Sequence, residues 1–325
     1  MDSVTGKALT RLMPQPVKVI EQAEGTHWKA YRGDCVEVAL GIPDESIGYS
    51  IFSPPFASLY TYSNSERDMG NCSGEAGFAK HFQFLCVELF RVLKPGRNLS
   101  FHCMDLPLSK ERDGVIGLRD FPGHLIAQFE RAGFVKHSEV IIWKDPVTAM
   151  QRTKAIGLLH KQVKKDSCMS RQGIADKFIT MRKPGVNPDP VDGEFDKYVG
   201  DLSPEEFERR CTMNGGRLSI DIWQKYASPV WMDIDPSNTL QRESARDEKD
   251  ERHICPLQLQ VIERGLTLWS NAGDVVLSPF MGIASEGYKA VQMGRKFVGI
   301  ELKPSYYKQA VLNLHAAEHQ QAELV

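Results

Sequence analysis

The sequence predicts an α/β fold, a largely parallel sheet with helices on both faces and an insert in mid-chain. Three observations carry that prediction. Short apolar runs alternate with helical patterns at both ends of the chain, the signature of strand–helix units. The rhythm lapses over residues 145–250, where Pro, Gly and charged clusters gather. The length, 325 residues, allows one large domain or two modest ones with ample core.

The elements follow in order. Residues 47–52 (IGYSIF) read as a buried strand that ends abruptly at Ser53-Pro54-Pro55-Phe56. From Glu75 to Lys94, Phe78, Phe82, Leu85, Leu89 and Val92 recur at three- and four-residue spacings, which predicts an amphipathic helix stopped by Pro95-Gly96. A strand over Asn98–Cys103, a helix over 121–132 and a strand over 134–143 come next. The alternation resumes with a helix from Pro256, a strand over Asp274–Ser278, a helix from about Ala284, a strand over Phe297–Glu301 and a helix from Pro304. The middle contains PGVNPDPVDGE at 184–194 and RESARDEKDER at 242–252, and reads as an accessory region, partly loop.

Composition excludes several classes. Apolar residues make up 42% and charged residues 25%, as in an ordinary globular chain. No apolar run approaches the ~18 residues that span a bilayer, so no membrane partner is expected. The N-terminus is polar and interrupted by prolines, which does not suit a signal peptide. The seven cysteines are scattered and form no C-x-x-C pair, so neither a disulfide framework nor a structural metal site is expected and the reading is cytoplasmic. His102 and Cys103, adjacent on a strand, read as core residues rather than metal ligands.

The phosphate loop G-x-x-x-x-G-K-[ST], H-E-x-x-H, G-x-S-x-G and G-x-G-x-x-G are all absent. What stands out is Ser53-Pro54-Pro55-Phe56 directly after a buried strand. Two prolines fix φ and free the preceding carbonyls from regular pairing. A hydroxyl, a carbonyl and an aromatic ring are thus held at the carboxyl end of a strand, where open α/β sheets bind ligands. That set suits methylation of an exocyclic amino group on a base. Such a nitrogen is a poor nucleophile because its lone pair is delocalised. Hydrogen bonds accepted from it by Ser53 and the Pro54 carbonyl would sharpen the lone pair, with Phe56 stacking on the base. Equally, so short a pattern occurs as a plain strand-ending turn.

A second cluster adds weight. Residues Asp274–Gly287 (DVVLSPFMGIASEG) run from a strand through a turn into a helix, and Glu301 ends the next strand. A turn at a strand's carboxyl end beside an acid on the neighbouring strand is a nucleoside-binding layout.

Together these motifs resemble the S-adenosylmethionine-dependent DNA amino-methyltransferases of the N4-cytosine/N6-adenine family, in the permuted order with the catalytic tetrapeptide before the cofactor loop. Ser53, Pro54, Pro55 and Phe56 match the family's catalytic Asp/Asn/Ser-Pro-Pro-aromatic. Ser278, Pro279, Phe280 and Gly282 resemble its Asp-Pro-Phe-x-Gly cofactor loop, and Glu301 its ribose-binding acid. Asp34 and Cys35, within Gly33-Asp34-Cys35, resemble the segment that contacts the adenine ring. His253 and Pro256 resemble the one that closes over the methionine part. The resemblance implies a Rossmann-like methyltransferase sheet, S-adenosylmethionine as cofactor, DNA as partner, base flipping, and in many relatives a homodimer. It implies an N-terminal extension over 1–30, a catalytic half over 31–145, a basic target-recognition insert over 146–250 and a cofactor half over 251–325.

Two departures stand in the cofactor loop. Ser278 replaces the usual Asp, and Gly282-Ile283-Ala284-Ser285-Glu286 replaces Gly-Ser-Gly-Thr-Thr, which predicts a reshaped cofactor contact. Backbone contacts at the helix N-terminus survive such changes, and Glu286 favours the helix dipole whatever its function.

Carbon-5 cytosine methylation is excluded, since it needs a cysteine nucleophile, carried elsewhere in a Pro-Cys pair that this chain lacks. Among resembling families Ser at the first tetrapeptide position accompanies cytosine N4, and Asp or Asn adenine N6. The reading therefore inclines to cytosine N4. Adenine N6 is the alternative, and a non-catalytic DNA-binding relative or an RNA or protein methyltransferase the further ones. The loop over 57–71 resembles phage-borne enzymes of relaxed specificity, and its Tyr60 and Tyr62 either line a base pocket or fill the loop.

Residues 151–183 hold nine Lys and Arg against Asp166 and Asp176, a local +7 on a chain whose net charge is −2. Arg152, Lys154, Lys161, Lys164, Lys165 and Arg171 are candidate phosphate contacts, with a solvated helical face as the bland reading.

Overall fold

The computed structural model describes residues 18–56, 74–108, 110–153, 159–170, 172–192, 202–213, 218–240 and 256–323. Its strands are β1 (Glu21–Glu24), β2 (Trp28–Arg32), β3 (Tyr49–Phe52), β4 (Asn98–Met104), β5 (Leu106–Leu108), β6 (Gly117–Arg119), β7 (Val135–Ile142), β8 (Asp176–Arg182), β9 (Val230–Trp231), β10 (Val275–Ser278) and β11 (Lys296–Glu301). Its helices are α1 (Cys35–Ala39), α2 (Gly74–Val92), α3 (Lys110–Asp113), α4 (Phe121–Arg131), α5 (Pro146–Thr153), α6 (His160–Lys165), α7 (Pro204–Met213), α8 (Leu218–Ala227), α9 (Leu259–Trp269), α10 (Ser285–Gln292) and α11 (Pro304–Glu323).

Among the described residues nine strands join one sheet in the order β1-β2-β11-β10-β3-β4-β8-β7-β9. The stretch from β2 to β4 is parallel, as strands with near-continuous apolar runs such as Tyr49–Phe52 demand when both faces are covered. One face packs α1, α2 and α4 around Phe52, Leu99, Phe101 and Ile179. The other packs α9, α10 and α11 around Tyr49, Ile51, Phe178 and Phe297. The Rossmann-like sheet with helices on both faces is thus present. Gly96 ends the α2 segment at φ +70, a left-handed angle that a side chain would resist.

From β10 the chain runs through α10 to β11 on one side, while β3 and α2 lead to β4 on the other. The strand order therefore reverses between β10 and β3, and the crevice at their carboxyl ends is the ligand position of such sheets.

Two boundaries from the sequence need correction. β1 and β2 fall within or across residues 1–30, so the supposed N-terminal extension contributes an antiparallel pair to the sheet edge. β8 falls within residues 146–250, yet it lies antiparallel between β4 and β7 in the heart of the sheet. That span is not wholly an insert. Its basic residues divide accordingly: Lys183 is buried and donates to the Leu93 carbonyl at 2.8 Å, and Lys177 faces Asp105 at 3.3 Å.

Candidate active site

The register of the sheet builds the catalytic end. Phe52 pairs with Phe101 across β3 and β4, so the next residues, Ser53 and His102, share the opposite face. Across β4 and β8, Met104 pairs with Asp176, which sets Asp176 on the same face two residues along from His102. Beyond the Ile142–Asp176 pairing of β7, Lys144 arrives on that face as well. The result is a polar chain: Ser53 Oγ lies 3.3 Å from His102 Nδ1, His102 Nε2 lies 3.0 Å from Asp176 Oδ2, and Lys144 Nζ donates to Asp176 Oδ1 at 2.5 Å. The Nε2 contact is short but lies off the hydrogen-bond axis. Burial alone raises the Asp176 carboxyl. His102 and Lys144 outweigh it and hold the group below the usual carboxylate range. Pro54 is buried and Pro55 half-buried. The Phe56 ring sits against Phe121, centroids 6.0 Å apart and tilted 49°.

The second half of the site follows β10. Phe280 packs on Phe52, the residue before Ser53, with centroids 5.8 Å apart, so the two motifs of the sequence meet directly. Gly282 takes φ +53, and a Cβ there would meet open space. Its N–H donates to Glu301 Oε2 at 2.9 Å, while Lys303 N–H donates to Glu301 Oε1 at 2.8 Å, so two backbone amides fix the carboxylate. The Gly33 N–H donates to the Glu301 carbonyl at 3.0 Å, which brings Asp34 alongside. Asp34 caps α1, its Oδ1 accepting from Val36 and Glu37 N–H at 2.9 and 3.0 Å. Cys35 is buried in the core, its thiol pushed well up by burial and then by Asp34.

The loop departures have visible consequences. Ser278 and Ser285 are buried and their hydroxyls have no partner among the described residues. Ala284 sits at φ +63 and offers no side-chain cap to α10. Glu286, in the first turn of α10, is buried; burial, with Glu301 adding repulsion, raises its carboxyl from 4.5 to about 8 against the pull of its own backbone N–H.

Of the remaining predicted residues, Pro256 is half-buried ahead of α9, and no hydrogen bond ties it to the site among the described residues. Lys161, Lys164 and Lys165 are exposed on α6, and Arg152 falls in α5. Tyr60, Tyr62, Lys154, Arg171 and His253 lie outside the described residues. The sequence reading missed Lys144, Asp176 and Lys303, and it assigned His102 to the core, whereas the ring faces Ser53. The signal that would have found Asp176 is the strand assignment of DKFITMR.

Taken together, an open α/β sheet carries a Ser-Pro-Pro-aromatic segment and an acid-anchored turn that meet across its switch point. The comparisons give the family: residues 49–312 match the N6/N4 DNA methylase family. The chain belongs to that family of S-adenosylmethionine-dependent DNA amino-methyltransferases. It is 37% identical over 109 residues to the DNA adenine methyltransferase YhdJ of Escherichia coli K12, covering 33% of this chain and 37% of that one. To the type II methyltransferase M.BamHI of Bacillus amyloliquefaciens it is 25% identical over 280 residues, covering 84% of this chain but 54% of the relative. The chain thus spans about a third to a half of these curated relatives. A putative DNA modification methylase of Thermus thermophilus complexed with S-adenosyl-L-methionine shares the fold with a TM-score of 0.60 at 20% identity, over 90% of this chain and 96% of that one. The cytosine-N4-specific PvuII DNA methyltransferase does so at 0.56 and 14%, over 92% and 93%.

The residues present suit the family's cofactor. Two orphaned buried hydroxyls, the open space before Gly282 and the acid Glu301 held by two backbone amides are features that a bound ligand would complete, with Asp34 beside Glu301. Ser278, Phe280, Gly282 and Glu301 would hold S-adenosylmethionine there, with Asp34 at the adenosine.

Proposed function

We propose that the chain transfers a methyl group from S-adenosylmethionine to the exocyclic amino group of a base in DNA, by direct in-line attack on a flipped-out base. The observation that carries this reading is the contact of Phe280 with Phe52, which sets the cofactor loop against the Ser53–Phe56 segment. The bound cofactor supplies an electrophilic methyl. The chain's own residues prepare the nucleophile. Ser53 and the Pro54 carbonyl accept the amino hydrogens, which draws the nitrogen lone pair out of the ring system. Phe56, steadied by Phe121, stacks on the base. A base inside a duplex cannot reach such a crevice, so the strand must present it extruded or unpaired. The exposed Lys161, Lys164 and Lys165 give that strand phosphate partners.

For the target base, a hydroxyl at position 53 accepts from either amine, and the lean to cytosine N4 rests on the association of Ser at that position with cytosine N4 in resembling families. Adenine N6 is the second reading, favoured by the 37% identity to an adenine methyltransferase over 109 residues. Nucleoside analysis of DNA from cells expressing the protein separates the two.

The decisive experiment is the double variant Ser53→Ala with Phe56→Ala. It abolishes transfer of labelled methyl to DNA while calorimetry still records cofactor binding. Retained transfer overturns the assignment.

A further inference from the structure

We propose that His102 and Asp176 form a proton-accepting pair behind Ser53, which both aims the serine hydroxyl and takes the proton that the target amino group loses on methylation. The inference rests on the methyltransferase reading and adds to it two residues from strands β4 and β8.

The chemistry requires an acceptor. The base nitrogen forms the new C–N bond as the S–CH₃ bond breaks, the electron pair staying on sulfur. The nitrogen is left cationic and must shed one proton. Ser53 is the side chain placed at that nitrogen, and a neutral hydroxyl takes a proton only if it passes its own along. His102 Nδ1, 3.3 Å away, is where that proton goes. The imidazolium so formed faces Asp176 Oδ2 at 3.0 Å, and the base leaves carrying a neutral methylamino group.

The charge beside the ring also biases the resting state. A carboxylate beside Nε2 favours the tautomer with its proton on Nε2. Nδ1 is then an acceptor, so Ser53 donates to it and keeps its lone pairs for the amino hydrogens. A serine without that partner could equally donate to the base, which would work against activation. Asp176 is anchored in turn by Lys144 at 2.5 Å, and its carboxylate stays ionised below the usual range under the pull of His102 and Lys144 against burial. Among the described residues the charged groups facing His102 are therefore Asp176 from β8 and Lys144 from the end of β7. Asp105 and Glu139 are turned to Lys177, which register places beside Cys103 on the other face. On α9, which covers the His102 face, Arg264 is spent on Asp233 at 2.7 Å.

The arrangement makes His102 a positioning residue acting through Ser53, and the tests follow from that. Nitrogen-15 spectra of the unliganded protein should show the His102 ring with its proton on Nε2; the opposite tautomer overturns the proposal. His102→Asn offers an amide oxygen that can still accept from Ser53 but cannot take the proton. Its kcat on DNA should fall about a hundredfold, the scale of a lost general base. The KM for DNA, cofactor affinity and melting temperature should hold, and the acid limb of the wild-type kcat–pH profile should vanish. An unchanged kcat and profile overturn the relay. An equal loss of cofactor affinity and thermal stability also overturns it, in favour of a purely structural ring. If the wild-type protein moves no methyl group to DNA, the function proposed above fails. The tautomer then still decides whether the pair is arranged to accept from Ser53.

Discussion

The two halves of the site are finished differently. At the end of β3 each polar group along the chain has a protein neighbour: Ser53 faces His102, His102 faces Asp176, and Asp176 is held by Lys144. At the end of β10 the polar groups are left over. The Ser278 and Ser285 hydroxyls are buried without partners among the described residues, and Glu286 is a buried acid beside another acid. The β3 end is therefore organised by the protein itself, as the proposed electrostatic catalysis requires. The β10 end carries the cost of polar groups that have no partner among the described residues. Stability and ligand dependence should consequently divide between the two ends.

The largest contrast comes from deleting one polar group at each end. Asp176→Ala leaves Lys144 and His102 without their acceptor. The cost should be about 3 kcal/mol, the low end for breaking a buried pair, because Lys144 is 32% exposed and regains water. Ser278→Ala removes a buried hydroxyl that has no partner among the described residues, so it should be neutral or stabilising by up to about 1 kcal/mol. Chemical denaturation of both variants without cofactor reads the difference. Equal losses would erase the distinction between the ends.

The next test uses pH. Glu286 titrates near 8 in the folded protein, against 4.5 for the ordinary group. Between those values the folded state holds a proton that the unfolded state has released, so stability falls as pH rises from about 4.5 and levels above about 8. Glu286→Gln removes that slope. The variant should match the wild type near pH 5 and exceed it near pH 9 by on the order of a few kcal/mol. Thermal melts at the two values check it, and parallel curves for the two proteins would show that Glu286 carries no such burden. Above pH 8 a second carboxylate also appears beside Glu301, so wild-type cofactor affinity should change there while the Gln variant stays level.

The same contrast explains what could be read from the sequence. The buried parallel strands announce themselves as apolar runs, and the motifs at their carboxyl ends follow directly from that placement. Ser53, Phe280, Gly282 and Glu301 were legible for that reason. β8 was not, because Asp176, Lys177 and Arg182 make DKFITMR look like part of the surrounding basic stretch. Its identity as a strand depends on pairing with β4, some seventy residues earlier, and on the register that sets Met104 against Asp176. Without β8, His102 has no visible acid and reads as filler. The edge strand β1 and its neighbour β2 are hidden likewise, since EQAE and WKAYR carry charges on exposed positions. The sequence places Glu286 at the head of a helix, where it favours the dipole, but its burial is set by the packing of α10 on α9 and α11, not by its neighbours in sequence.

The smallest effect isolates the backbone of the cofactor loop. Ala284 holds a left-handed angle, φ +63, which costs an alanine about 1–2 kcal/mol. Replacing it with Gly relieves that strain. It also gives up a buried methyl worth about 0.8 kcal/mol and adds about 0.5–1 kcal/mol of chain entropy to be lost on folding. Gain and loss are of equal size, so Ala284→Gly should lie within about 0.5 kcal/mol of the wild type by the balance of these terms. Ala290 is the control: it is equally buried, in the regular interior of α10, and has no strain to relieve. There the same substitution keeps both losses and should cost about 1.3–1.8 kcal/mol. The difference between the two variants measures the strain in the loop directly. Should both lose the same amount, the left-handed turn is not a burden on this protein, and the cost at the cofactor end rests on its buried hydroxyls and Glu286 alone.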